Sequence, residues 1–100
     1  MALYRHGDVL VESATSVPKD AKRLHHLVLA EGELTGHCHR VSERDAAVLH
    51  KSGQNLFLTV IRDSATLIHQ EHGPISLPRG VYRVWQQREY FPLDIRVVRD

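Results

Sequence analysis

The chain has one cysteine, Cys38, among its 100 residues. That excludes an intramolecular disulfide and any zinc cage built from thiolates, and it fits a reducing compartment. Long apolar runs are absent as well. Nothing approaches the roughly 18 consecutive apolar residues of a membrane span, and the start MALYRHGDVLV lacks the apolar stretch of a signal peptide. The expected compartment is therefore cytoplasmic, with no membrane partner. No one sign of charge dominates: 13 Lys and Arg stand against 12 Asp and Glu, for a net charge of +1. Such a balance lacks the broad positive footprint that polyanion binding needs and argues against nucleic acid as a partner. The Gly-x-Ser-x-Gly elbow of serine hydrolases and the glycine-rich phosphate cradle are missing too, as are internal repeats and low-complexity segments.

What is present is an ordinary globular composition, 42% hydrophobic and 25% charged, of a size for one domain over 1–100. Short runs of alternating or β-branched residues are separated by Gly, Pro, Asp and Ser, and helix signals are scarce. The pattern predicts an all-β chain, a small single-domain β-barrel or sandwich of about eight short strands, closed or nearly closed to protect its edges. The expected strands are DVLVES from Asp8, HHLVLAE from His25, TGHCHRVS from Thr35, AAVLH from Ala46, NLFLTVIR from Asn55, ATLIHQE from Ala65, YRVWQQREY from Tyr82 and DIRVVRD from Asp94. KSGQN suits a hairpin turn, and EHGPISLPRG is expected to break the chain at its prolines and glycines. SVPKDAKRL reads as a short helix opened by Pro18 or as a loop.

Histidine is the over-represented residue, with eight in the chain: His6, His25, His26, His37, His39, His50, His69 and His72. In GHCHRV, side chains two apart share a strand face, so His37, His39 and Val41 point one way and Cys38, Arg40 and Ser42 the other. Two imidazoles on an inward face can reach one cation, at about 2.0–2.1 Å for a zinc-like ion. The stretch LIHQEHGP offers His69, Glu71 and His72 to complete the shell. Cysteine catalysis is disfavoured, because neither His37 nor His39 lies on the Cys38 face to take its proton. His25 and His26 face opposite ways, and His6 and His50, standing alone, are read as structural.

The spacing resembles the first motif of the cupins, a glycine followed by a His-x-His pair and then a glutamate. Gly32, His37, His39 and Glu43 fill those places in GELTGHCHRVSE, with one residue fewer between glycine and first histidine. The second cupin motif opens Pro-x-Gly, matched by PRG at 78–80, but where its histidine would fall stands Arg83. The resemblance thus implies a cupin-like barrel whose shell must be completed by HQEH. Nearly the whole chain is also similar to a family of small bacterial and phage proteins of unassigned function. In those, a GDVL start, an LAEGE-TGHxH segment, an HxEH-PI-LP-G-Y-V segment and a QREY end recur in this order.

Together these features point to a divalent transition metal held by His37, His39, His69 and His72, with Glu71 as ligand or as general base to a metal-bound water. Zn or Fe leads; Mn, Ni and Cu suit the same donors. An open position would admit a small-molecule substrate, making the chain an enzyme; a closed one would make it a metal-stabilised or metal-sensing module. The alternative is a non-catalytic adaptor for a protein or nucleic-acid partner, with incidental histidines. The aromatic and basic run YRVWQQREY is its best feature, although Trp85 is expected in the core. Exposed strands of small barrels pair, so a homodimer through Cys38, Val28 or Leu58 is a further expectation.

Overall fold

The computed structural model describes residues 2–31 and 37–86. The strand expected from Asp94, the end of the one from Tyr82 and the cupin-like Gly32 lie outside them. The described residues form eight strands and no helix: β1 (Leu3–His6), β2 (Val9–Ala14), β3 (Lys22–Arg23), β4 (Val28–Glu31), β5 (Cys38–Val41), β6 (Ala47–Ser52), β7 (Asn55–Ile68) and β8 (Ile75–Gln86). All pairings are antiparallel, in the order β1-β2-β8-β7-β5-β4, with β3 and β6 joined through β7. The sheet is curled into a half-barrel.

Two hairpins set the register. His6 pairs with Val9 across Gly7-Asp8, and Ser52 with Asn55 across Gly53-Gln54. In each, the first turn residue is a glycine at positive φ, 64° for Gly7 and 59° for Gly53. That geometry matches the twist of the flanking strands and is open to glycine alone at little cost.

The sequence suggested separate strands from Asn55 and Ala65, and a break through PISLPRG. The structure joins each into one long strand. Where β7 meets β8, Val60 pairs with Gly80 and Ser64 with Pro78, so residues 61–63 bulge opposite Arg79 alone. Pro78 and Gly80 are tolerated because the ladder is already interrupted there. Arg79 closes the bulge, donating to the Arg62 carbonyl and the Asp63 carboxylate. The bend lets one edge of β7 serve two partners, β6 before the bulge and β5 after it. SVPKDAKRL resolves into a turn, Ala21 N–H to the Pro18 carbonyl at 3.1 Å, followed by the two-residue β3.

The core fills the concave side. Val9, Val11, Leu49, Leu58, Val60, Leu67, Leu77 and Val84 are almost wholly buried, at about 1.5–3 kcal/mol per large side chain. Leu77, Tyr82 and Val84 supply the β8 share, the last two from beyond the bulge. Trp85 is therefore on the other face, half-buried beneath the Arg83 guanidinium at 4.6 Å, contrary to its expected place in the core.

Candidate metal centre

Alternation carries the core pattern straight into a histidine cluster. On β5, Val41 and His39 face inward while Arg40 is exposed. On β7, Ala65 and Leu67 are buried, and His69 continues their face one residue past the strand end. His72 follows in the irregular segment 69–74. One ring nitrogen from each of His39, His69 and His72 lies within 4.8 Å of the others, a triad that could hold a metal ion. The ring centroids of His39 and His69 are 4.3 Å apart, and those of His69 and His72 are 4.7 Å apart.

His37 is not within that triad. Its Nδ1 is 3.5 Å from Oε1 of the exposed Glu71, and its ring is 5.7 Å from that of His69. His37 and Glu71 thus form a pair at the solvent side of the cluster. Glu43 turns elsewhere: its two oxygens accept the Thr66 N–H and hydroxyl, both at 2.7 Å. The Thr66 backbone bond, followed by its hydroxyl, holds the Glu43 carboxyl below its ordinary pKa. Arg83 is exposed and bonds Asn55. Cys38 lies off the inward face, its amide bound to Gln70.

Sequence reasoning missed His6 and Asp8. His6 was set aside as structural, yet it is only 2% exposed and, with His39 at 5%, is one of two buried polar side chains among the described residues. The curl of the sheet carries β1 across the interior, where Nδ1 of His6 meets Nδ1 of His39 at 3.0 Å. The signal for both was HGDV. A Gly-Asp pair between LYRH and VLVES is a two-residue hairpin, which makes LYRH a strand, turns His6 inward and sets Asp8 at its tip.

The protonation of this chain follows from what each partner can do. A carbonyl only accepts, so Nε2 of His6, 2.9 Å from the Gly73 carbonyl, carries a hydrogen. In the neutral ring Nδ1 of His6 then accepts, and Nδ1 of His39 donates to it. That leaves the lone pair of His39 Nε2 facing Asp8 Oδ1 at 3.3 Å. Two acceptors held face to face, with Asp8 fixed from behind by the Gln86 amide, form a seat for a cation, either a proton or a metal. Burial above all, then the imidazoles of His69 and His6, push the His39 pKa down to about 4 against the pull of Asp8. Near neutral pH a proton is thus a poor occupant. Burial, then His72 and His37, lowers His69 as well. His69 Nδ1 accepts the Glu71 N–H at 2.9 Å.

Gly7 is what allows the cluster to close. A methyl group there would stand 2.6 Å from His72 Nε2 and 3.0 Å from His39 Cε1.

A family model described as "Domain of unknown function (DUF8820)" matches residues 5–87. No curated protein and no solved structure matches the chain.

Proposed function

The chain belongs to that family, which assigns it no activity, and from the geometry we propose that it holds one divalent transition metal through His39, His69 and His72. The observation that carries this reading is the convergence of three imidazoles at the end of a buried core, with the His39 lone pair set against a carboxylate. His39 is buried and His69 and His72 half-buried, and burial together with the neighbouring imidazoles disfavours the protonated forms of His39 and His69, which leaves their lone pairs to a metal ion. Zn or Fe is the expected ion; Mn, Ni and Cu suit the same donors, and availability decides among them. Zinc bonds of about 2.0–2.1 Å place tetrahedral ligands about 3.4 Å apart. On His69 the ion would compete with the Glu71 N–H for the lone pair of the neutral ring.

His6 acts behind the site. By accepting from His39 Nδ1 it fixes the tautomer that presents Nε2, the role an outer partner plays for a metal-bound imidazole. Asp8 is either an additional oxygen ligand or a counter-charge beside the ion. Three imidazoles leave a tetrahedral ion at least one position for water or a small molecule, as catalytic sites do. The Glu71 and His37 pair stands at the exposed side of the cluster, and Glu71 would be the base for small-molecule chemistry there, the activity this reading favours. Of the cupin-like His-x-His pair, only His39 belongs to the proposed ligand set, with His37 beside Glu71 at its exposed side.

Calorimetric titration of chelator-treated protein with zinc tests it. Saturable binding of one ion, weakened at least about 10-fold by His72→Ala or His69→Ala, is the expected result. Binding that these variants leave unaltered, or no binding, overturns it.

A further inference from the structure

A second site lies apart from the histidine cluster and shares no residue with it. Because β7 gives its edge first to β6 and then to β5, the sheet is split between the β3–β6 and β4–β5 pairs. Residues 24–27 bridge the split: Leu24 N–H bonds the Leu49 carbonyl at 2.8 Å and the Leu27 carbonyl accepts Val41 N–H at 3.1 Å. Beneath this bridge is a cavity of about 640 Å³. Its apolar part is lined by the half-buried Leu24, Leu27, Val28 and Val48, and its polar part by Arg23, Arg40, Arg44, His25 and His26. No carboxylate lines it.

The charges there are uncompensated, unlike those of Arg62 and Arg79. Arg62 pairs with Asp45, and Arg79 with Asp63. Among the described residues Arg23, Arg40 and Arg44 have no such partner. The acids flanking Arg44 in sequence are turned away, Glu43 onto Thr66 and Asp45 onto Arg62. His26 Nδ1 accepts the Val28 N–H, so in the neutral ring Nε2 carries hydrogen and adds another donor. Three guanidinium groups around a half-apolar cavity match a planar or tetrahedral oxyanion, which arginine grips with two parallel hydrogen bonds.

We propose that this cavity binds a small organic anion, a carboxylate or phosphate head carried on an apolar body. The head lies among Arg23, Arg40 and Arg44, and the body against Leu24, Leu27, Val28 and Val48. The site stands whether or not the histidine cluster takes a metal.

The test uses chelator-treated protein at fixed ionic strength in chloride, titrated with phenyl phosphate and with benzoate and followed by calorimetry. The expected result is saturable binding of at least one probe, weakened about 10-fold or more by Arg40→Gln with Arg44→Gln and unchanged by Arg62→Gln with Arg79→Gln. The probe that binds more tightly identifies the head. Melting of each variant confirms folding; if the Arg40 and Arg44 variant fails to fold, Arg23→Gln replaces it. No saturable binding of either probe, or equal losses in both pairs of variants, overturns the proposal.

Discussion

Gly7→Ala separates the histidine cluster from the fold around it, and Gly53→Ala is its internal control. Both glycines take the first position of a two-residue hairpin at nearly the same φ, 64° and 59°. Alanine in the left-handed region costs about 1–2 kcal/mol, offset by about 0.4–1 kcal/mol from the stiffer unfolded chain. At Gly53 a new methyl meets nothing within 4 Å, so about 1 kcal/mol of destabilisation is the whole effect. At Gly7 the methyl would lie 2.6 Å from Nε2 and 2.9 Å from Cδ2 of His72, and 3.0 Å from Cε1 of His39. His39 is held by His6, so His72 has to swing away, at a further cost of about 0.5–1.5 kcal/mol. Urea denaturation with chelator present should therefore find Gly7→Ala about 1 kcal/mol less stable than Gly53→Ala. Zinc titration of the same proteins should show a loss of affinity of about 10-fold or more in Gly7→Ala only. Equal stability losses together with equal zinc affinities would refute the reasoning, because the cluster would then not depend on the bare backbone at Gly7.

Acid should destabilise the metal-free protein through His39. Its folded pKa of about 4 lies below the ordinary value of 6.5, so the unfolded chain binds more protons between the two. The contribution of neutral His39 is complete above pH 6.5 and is lost as the pH falls towards 4, by about 3 kcal/mol at most. His39→Phe should flatten that part of a urea midpoint against pH curve; an unchanged slope contradicts it. Glu43→Gln should lower stability at pH 7 by about 1 kcal/mol, since charge-assisted bonds to the Thr66 N–H and hydroxyl become neutral ones. The depressed Glu43 pKa places its contribution above the ordinary carboxylate pKa of 4.5 and removes it as the pH falls through the folded value. Wild type and variant should therefore converge in acid, and thermal melts from pH 7 down to pH 3 check this.

The all-β class was legible because period-two alternation survives in most strands, and the inward direction of His39 followed from the same rule. The length of β7 and β8 was not legible. Pro78 and Gly80 read as breaks, and only the bulge at residues 61–63, a feature of pairing between distant segments, makes them acceptable within a strand. Trp85 is expected in the core because it alternates in step with Val81, but the register of β8 gives that face to Tyr82 and Val84. Within the cluster, His69 and His72 were visible as a local motif. His6 was not, since its proximity to His39 depends on the curl of the sheet, which no short stretch encodes. Asp8 was hidden for a related reason, standing in a turn whose preceding strand went unrecognised. His37 shows the limit of strand-face reasoning: it shares a parity with His39, yet sits one step further out, beside Glu71.

Elemental analysis of protein purified without a histidine tag tests the central claim most directly, with wild type measured beside His39→Ala, His69→Ala and His37→Ala. The account predicts close to one transition-metal ion per chain in wild type and in His37→Ala, and its loss in the other two. The absence of metal from wild type, even after incubation with zinc and iron(II) and removal of excess, would contradict it, as would metal retained by His39→Ala and His69→Ala.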